Sequence, residues 1–327
     1  MRALVMTEAG GAEHSHVREV EPPQPGPGQV AIRVAYAGLN FVDVMARRGD
    51  GGYTAAWPHH PGKEVAGTVL ALGPGVTHLA IGTPVVAATH AGGLAEVALA
   101  DADLTVPVPD GVPLEAAAAA PLGLATALLL LTDAGRFTPG DTVLVHSASG
   151  GIGGAVARLL PLLGGGRLLG TVGRPAKAAA AERTGYDAVF ARDADLADRL
   201  REASGGRIDL VLDPLGTDSL ELDLDLLAPG GRIVLFGNAA GERPADLPPF
   251  GRLLGANATL TGFSHSALLA GAPGKVADAI RRTLDLLATG ALDAPVTVLP
   301  DLTAVPAAHD LLATGHAEGK YVVALQG

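Results

Sequence analysis

The chain of 327 residues contains no cysteine. Disulfides, thiolate nucleophiles and every cysteine-ligated metal site are excluded together. Aromatic residues make up only 3%, and the lysines are Lys63, Lys177, Lys275 and Lys320. No long basic cluster is present, and 23 Lys and Arg against 34 Asp and Glu leave a net charge of −11. An acidic surface without a basic stripe argues against nucleic acid and anionic membranes as partners. The longest stretch free of both charged residues and histidine, Ala116–Thr132, falls short of the roughly 20 residues that span a bilayer, and Pro121 and Gly123 interrupt it. Met1–Met6 is followed by Glu8 without a signal-sequence pattern. A soluble, cytoplasmic protein is expected.

What is present is 48% hydrophobic residue and 45 glycines, the composition of a packed globular chain long enough for two domains. The first third reads as short strands (Arg2–Met6, Val30–Tyr36, Val65–Leu72, Pro84–Ala88, Ala95–Ala98) separated by Gly/Pro turns, which predicts a small β domain. From about Pro113 the texture changes. The strands Thr142–His146, Arg167–Thr171, Ala188–Ala191, Ile208–Leu212 and Arg232–Phe236 alternate with helical segments at Ile152–Leu163, Ala176–Thr184, Leu196–Ala203 and Ser219–Leu227. That alternation predicts a doubly wound parallel sheet, hence an α/β protein. Pro161 conflicts with a helix through Leu163, but its position near the end confines the damage to the last turn.

The strand Thr142–His146 runs into Ser147-Ala148-Ser149-Gly150-Gly151-Ile152-Gly153-Gly154 and then a helix. Ala148, Gly150 and Gly153 fill the small-residue positions of a dinucleotide-binding turn, which brings backbone and a helix N-terminus against a pyrophosphate. An NAD site would place Asp or Glu about 20 residues further on, to accept from the ribose hydroxyls. Here Gly173, Arg174 and Lys177 follow instead, and the two cations suit a 2′-phosphate. The expected cofactor is therefore NADPH.

These residues belong to a longer ordered series: Asn40-Phe41-Val42-Asp43 with Arg47 and Gly49, Pro61-Gly62-Lys63-Glu64-Val65-Ala66-Gly67, Gly73-Pro74-Gly75-Val76, Gly92-Gly93-Leu94-Ala95-Glu96, Gly230-Gly231-Arg232, Phe236-Gly237-Asn238 and Gly319-Lys320. Over essentially its whole length the chain resembles a zinc-free medium-chain dehydrogenase/reductase of the quinone oxidoreductase (zeta-crystallin-like) branch. The resemblance implies a discontinuous GroES-like β-rich substrate domain at 1–123 and 264–327, and a Rossmann NADP-binding domain at 124–263. It implies that Asn40 and Thr126 lie near the nicotinamide, and that Ser149, Gly150, Gly151 and Ile152 hold the pyrophosphate. Gly173, Arg174 and Lys177 would surround the adenosine phosphate. Phe236, Gly237 and Asn238 would close over the nicotinamide half, with Lys320 also at the cofactor. Arg192 stands where relatives often carry tyrosine, which removes a stacking group and adds a third cation. Asn40, Tyr53 and Asp43 are the catalytic candidates. Relatives that use zinc carry Gly-His-Glu and cysteine ligands. Lys63 replaces that histidine, so no catalytic metal is expected.

Several of these residues have plain structural alternatives. Asn40 and Asp43 suit a helix N-cap, Tyr53 suits a loop, and His59 and His60 suit packing beside Trp57. His146 suits a hydrogen-bonded core position, and Glu64 suits an ion pair with Arg47 or Lys63. The function implied is hydride transfer from NADPH to a small quinone or α,β-unsaturated carbonyl (enone or enoyl) substrate, in a homodimer whose open edge is Thr259–Phe263. Two other classes fit the same fold. A cyclase or isomerase would form product without consuming NADPH, and a crystallin-like binding protein would bind NADPH without turnover.

Overall fold

The computed structural model describes residues 1–54, 56–239 and 246–325. The chain forms two compact units, Met1–Ala125 with His265–Gly327, and Thr126–Ser264.

The first unit is built on a seven-stranded sheet. Its main order is Val296–Leu299, Lys320–Ala324, Gln29–Gly38, Glu64–Leu72, Pro84–Ala88 and Thr105–Pro107, and Val97–Asp101 pairs with Gln29–Gly38. Val30, Ile32, Val34, Val65, Val69, Val85 and Val323 form its apolar core. β-Branched side chains suit such pleated, buried surfaces. Antiparallel pairing sets Val322 opposite Gly38 and Val65 opposite Ala37. The end of the Gln29–Gly38 strand therefore lies beside the beginnings of the Glu64 and Lys320 strands. The helix Phe41–Arg48 follows at once, so Asn40, Glu64 and Lys320 arrive at one end of the sheet by register alone.

The second unit is a six-stranded parallel sheet in the order Ala188–Ala191, Arg167–Val172, Thr142–His146, Ile208–Asp213, Leu227–Leu235 and Thr259–Gly262. Leu144, Leu169, Ile208, Val211 and Ile233 are fully buried, as strands covered by helices on both faces require. The winding reverses between Thr142–His146 and Ile208–Asp213. In open α/β sheets ligands bind outside the carboxyl ends of the strands at that reversal, here at Ser147 and Pro214.

Two local expectations change. The helix after the glycine turn is α-helical only over Gly151–Leu159. Pro161–Leu163 forms a tighter turn, closed by Gly164 at φ 107°. The apolar segment expected to be too short for a bilayer lies in a 21-residue helical run, Leu114–Ala134, long and apolar enough to cross one. In this structure 78% of its apolar stretch is buried inside the protein. Pro121 does not end that run, because the chain widens there into i→i−5 hydrogen bonds over Ala120–Leu124.

Candidate functional site

The glycine turn of the second unit has the geometry its sequence demands. Ser147 takes a left-handed conformation at φ 61°, and Gly150 caps the helix with extended backbone. A Cβ on Gly153 would strike the Ala148 carbonyl, so the helix starts pressed against the turn. Tyr186 reinforces this by donating its hydroxyl to the Gly153 carbonyl at 2.9 Å. The first-turn N–H groups of a helix lack intrahelical acceptors and carry its positive dipole end. Ser149, Gly150, Gly151 and Ile152 are half-buried there.

The adjacent strand ends at Val172 and exposes Gly173 and Arg174, while Lys177 is buried. Arg192 follows the next strand. Its guanidinium reaches to 2.8 Å from where a Gly173 Cβ would stand, and Nη1 donates to Thr171 Oγ1 at 3.4 Å. Burial lowers the Arg192 pKa, against the pull of Asp213. Arg174, Lys177 and Arg192 thus cluster around the ends of two neighbouring strands. No carboxylate occurs between Arg167 and Lys177. Thr126 Oγ1 is buried and has no partner among the described residues, a polar atom suited to a ligand.

Beneath the strand ends lies a buried polar group. His146 Nδ1 is 2.8 Å from Thr171 Oγ1, and Nε2 is 2.8 Å from Asp223 Oδ1. Burial opposes its protonation, but the Asp223 carboxylate prevails and raises its pKa. Asp213 is pushed up to about 7 by burial and accepts from Leu215 N–H at 2.6 Å. Potential ligand atoms of His146, Asp213 and Asp223 lie within 4.8 Å of one another. The Asp213 backbone carbonyl accepts from Phe236 N–H at 2.9 Å, and Gly237 lies against Pro214 too closely for a Cβ. This turn therefore carries the half-buried segment Phe236–Asn238.

The first unit presents a second polar constellation. Glu64, fully buried, is an ion-pair partner of Lys320, and not of Arg47 or Lys63 as the sequence suggests. Arg47 pairs with Asp310, and Lys63 donates to the His90 carbonyl. The wide turn explains the rest of the Glu64 environment. Pro121 has no N–H, and the widened helix leaves Leu122 and Gly123 N–H to donate to Glu64 Oε2 at 2.7 and 3.3 Å. Asn40 Nδ2 donates to Oε1 at 2.9 Å, and Lys320 Nζ donates to Asn40 Oδ1 at 2.7 Å and Leu39 O at 2.9 Å. The carboxylate covers Gly38 so closely that a Cβ there would collide with it.

Asn40 and Lys320 are thus spent on protein partners: the three donors of Lys320 go to Leu39, Asn40 and Glu64. Asp43 is buried, and accepts from Asn40 N–H at 3.2 Å and Gly62 N–H at 2.9 Å. Burial pushes its pKa to about 6. Tyr53 is half-buried in the turn that starts at Asp50, and burial raises its pKa. His265, which the sequence left unmarked, joins this region through Nε2, 3.2 Å from Pro121 O. Only strand register and the widened helix assemble these residues, so no local motif reveals them.

Comparison with known proteins places this architecture. An alcohol dehydrogenase GroES-like domain model matches residues 26–110, and a zinc-binding dehydrogenase model matches residues 151–284. The chain is 34% identical over 241 residues to the human synaptic vesicle membrane protein VAT-1 homolog, a match covering 73% of this chain and 61% of the relative. The chain therefore spans about three fifths of that relative's length. It is 36% identical over 236 residues to quinone oxidoreductase of Pseudomonas aeruginosa, covering 71% of this chain and 72% of the relative. Among solved structures, Escherichia coli quinone oxidoreductase complexed with NADPH superposes with a TM-score of 0.90 at 28% identity, covering 99% of this chain and 100% of the other. The fold and the glycine turn define a two-domain dehydrogenase/reductase. The chain belongs to the medium-chain dehydrogenase/reductase family, in its quinone oxidoreductase branch.

Proposed function

We propose that this protein is an NADPH-dependent, zinc-independent reductase acting on a quinone or an α,β-unsaturated carbonyl compound in the cytoplasm. The observation that carries this reading is the glycine turn flanked by Arg174, Lys177 and Arg192, with no acid where an NAD ribose would need one. The first-turn N–H groups of Gly151 and Ile152 bind the pyrophosphate, together with Ser149 and Gly150. Arg174, Lys177 and Arg192 bind the 2′-phosphate beside Gly173. Thr126 and Phe236–Asn238 serve the nicotinamide half. The cofactor supplies a hydride; the protein supplies orientation and hydrogen bonds to the charge that develops on the substrate. Within the first unit, Lys320 and Glu64 fix Asn40, and Asp43 ties Asn40 to Gly62. Their role is positioning, and Tyr53 is the side chain in this set best able to donate to substrate.

The test is a panel of quinones and enones mixed with NADPH and with NADH. Oxidation of NADPH, matched mole for mole by reduced product, is expected. Product formed without NADPH oxidation would establish the cyclase or isomerase alternative, and binding without turnover the crystallin-like one. Prolonged treatment with EDTA should leave the rate unchanged. Activity lost to EDTA and restored by zinc would refute zinc independence.

A homodimer is part of this proposal. Thr259–Gly262 ends the six-stranded sheet with an open edge. The preceding helix exposes Phe250 and Leu254, 75% and 67% accessible, four residues apart on one face. An open edge beside apolar surface favours pairing with a second copy. Light scattering at low micromolar concentration should give twice the chain mass; the single-chain mass would reject the dimer.

A further inference from the structure

A row of polar side chains crosses one face of the parallel sheet and ends at the cation cluster. The register sets His146 directly opposite Thr171, and Thr171 opposite Phe190. Arg192 follows two residues past Phe190. Its backbone N–H still donates to Val172 O at 2.9 Å, so the pairing with the Thr171 strand carries on to it. The helix Leu220–Leu226 brings Asp223 to the same row. The contacts form a chain. Asp223 Oδ1 is 2.8 Å from His146 Nε2, His146 Nδ1 is 2.8 Å from Thr171 Oγ1, and Arg192 Nη1 donates to Thr171 Oγ1 at 3.4 Å.

Donor and acceptor types fix the ends of this chain. A carboxylate only accepts and a guanidinium only donates, so His146 Nε2 carries a hydrogen towards Asp223, and Thr171 accepts from Arg192. With a neutral imidazole, Thr171 O–H donates to Nδ1; with an imidazolium, Oγ1 accepts from both neighbours. Arg192 keeps its acceptor in either state. His146, Thr171 and Asp223 are all fully buried. Polar groups there cost more than the valines and leucines on the rest of these strands unless they are hydrogen-bonded. Only half-buried Arg192 reaches the surface. Its guanidinium occupies the space that a Cβ on Gly173 would take. Thr171 is its one hydrogen-bond partner among the described residues, which leaves four of its five N–H groups for a ligand.

We propose that Thr171, backed by His146 and Asp223, is a positioning residue for cofactor selection: it holds the Arg192 guanidinium over Gly173, with its free N–H groups already aimed at a 2′-phosphate. This rests on the NADPH reading for the identity of the ligand. The 3.4 Å contact is the weakest link, so its strength depends on how good an acceptor Thr171 is. A hydroxyl that gives its hydrogen to His146 accepts more strongly, because hydrogen bonds in a chain polarise one another, and the Asp223 carboxylate at the far end adds to this. An arginine held in advance loses less side-chain freedom when the phosphate arrives.

The experiment makes Thr171→Val, Thr171→Ser and Asp223→Asn in the full chain, each with and without Arg192→Gln. NADPH and NADH affinities are measured by fluorescence titration, and the motion of Arg192 Nε by 15N relaxation without cofactor. Valine keeps the shape of threonine and suits a strand, but it cannot accept. Thr171→Val should free Arg192 Nε, weaken NADPH binding about three- to tenfold, the usual cost of ordering one long side chain on binding, and leave NADH binding unchanged. Thr171→Ser should restore both properties. Asp223→Asn should act in the same direction but less, since it keeps an acceptor for His146 and removes the charge. With Arg192→Gln present, neither substitution should cost NADPH anything more, because both act through Arg192. Unchanged Arg192 motion in Thr171→Val, equal losses for the two cofactors, or an NADPH loss that persists beside Arg192→Gln overturns the positioning role. If Arg192 is freed as expected while the wild type does not prefer NADPH and Arg192→Gln costs it nothing, the NADPH reading falls and the anchor stands. If Arg192→Gln selectively weakens NADPH while Thr171→Val frees nothing, the reverse holds.

Discussion

Replacing Lys320 with methionine is expected to destabilise the first unit by about 3–5 kcal/mol, the usual cost of breaking a buried ion pair from one side. The reason is asymmetry. Glu64 is fully buried and Lys320 is only 10% accessible. Methionine can follow much of the lysine's path over Gly123 but supplies no charge. Glu64 would keep the Leu122, Gly123 and Asn40 donors, which hydrogen-bond a carboxylate without neutralising it. Urea unfolding reports this unit cleanly, because Trp57, the one tryptophan in the chain, lies within it. The double variant Lys320→Met/Glu64→Gln should recover part of the loss, since it removes the uncompensated charge as well as its partner. A loss below about 1 kcal/mol for Lys320→Met, the range of exposed pairs, would mean that the pair is effectively solvated and does not hold Asn40.

That pair also marks where the sequence stops being informative. The dinucleotide turn is legible because its requirements are local: a strand, small residues at fixed spacing and a helix within about a dozen positions. The absence of an acid after Val172 is legible for the same reason, as is the placement of Arg192 just after the Ala188–Ala191 strand. The partner of Glu64 is not. Arg47 and Lys63 are nearer in sequence, but strand register brings Lys320, 256 positions away, to the head of the neighbouring strand. The donors from Leu122 and Gly123 depend on a proline that widens a helix instead of ending it, an outcome that packing decides and propensity does not. His146 reads correctly as a bonded core histidine. Its partner Asp223, 77 residues on, and the raised pKa of Asp213 emerge only when three strand ends and a helix are placed side by side.

Removing both Arg174 and Lys177 is expected to weaken NADPH binding by about 100-fold or more while barely changing NADH binding. A hydrogen bond to a charged group contributes about 1.5–3 kcal/mol, and a factor of ten in affinity is about 1.4 kcal/mol. Two such contacts to one phosphate therefore account for at least two decades. Arg174 is exposed and tolerates alanine. Lys177 is only 8% accessible, so its stem packs against the protein, and Lys177→Met separates the charge from that packing. Arg192 supplies an internal check. Its guanidinium lies against Gly173 and donates to no carboxylate among the described residues. Arg192→Gln should add to the NADPH loss and again spare NADH. Affinities measured by fluorescence titration at two salt concentrations give a second reading: wild-type NADPH binding should weaken with salt more steeply than NADH binding, and the double variant should lose that difference. Equal losses for the two cofactors would mean that the substitutions damaged the fold of the turn. No loss for NADPH would move the 2′-phosphate away from the ends of these strands, and with it the basis for preferring NADPH.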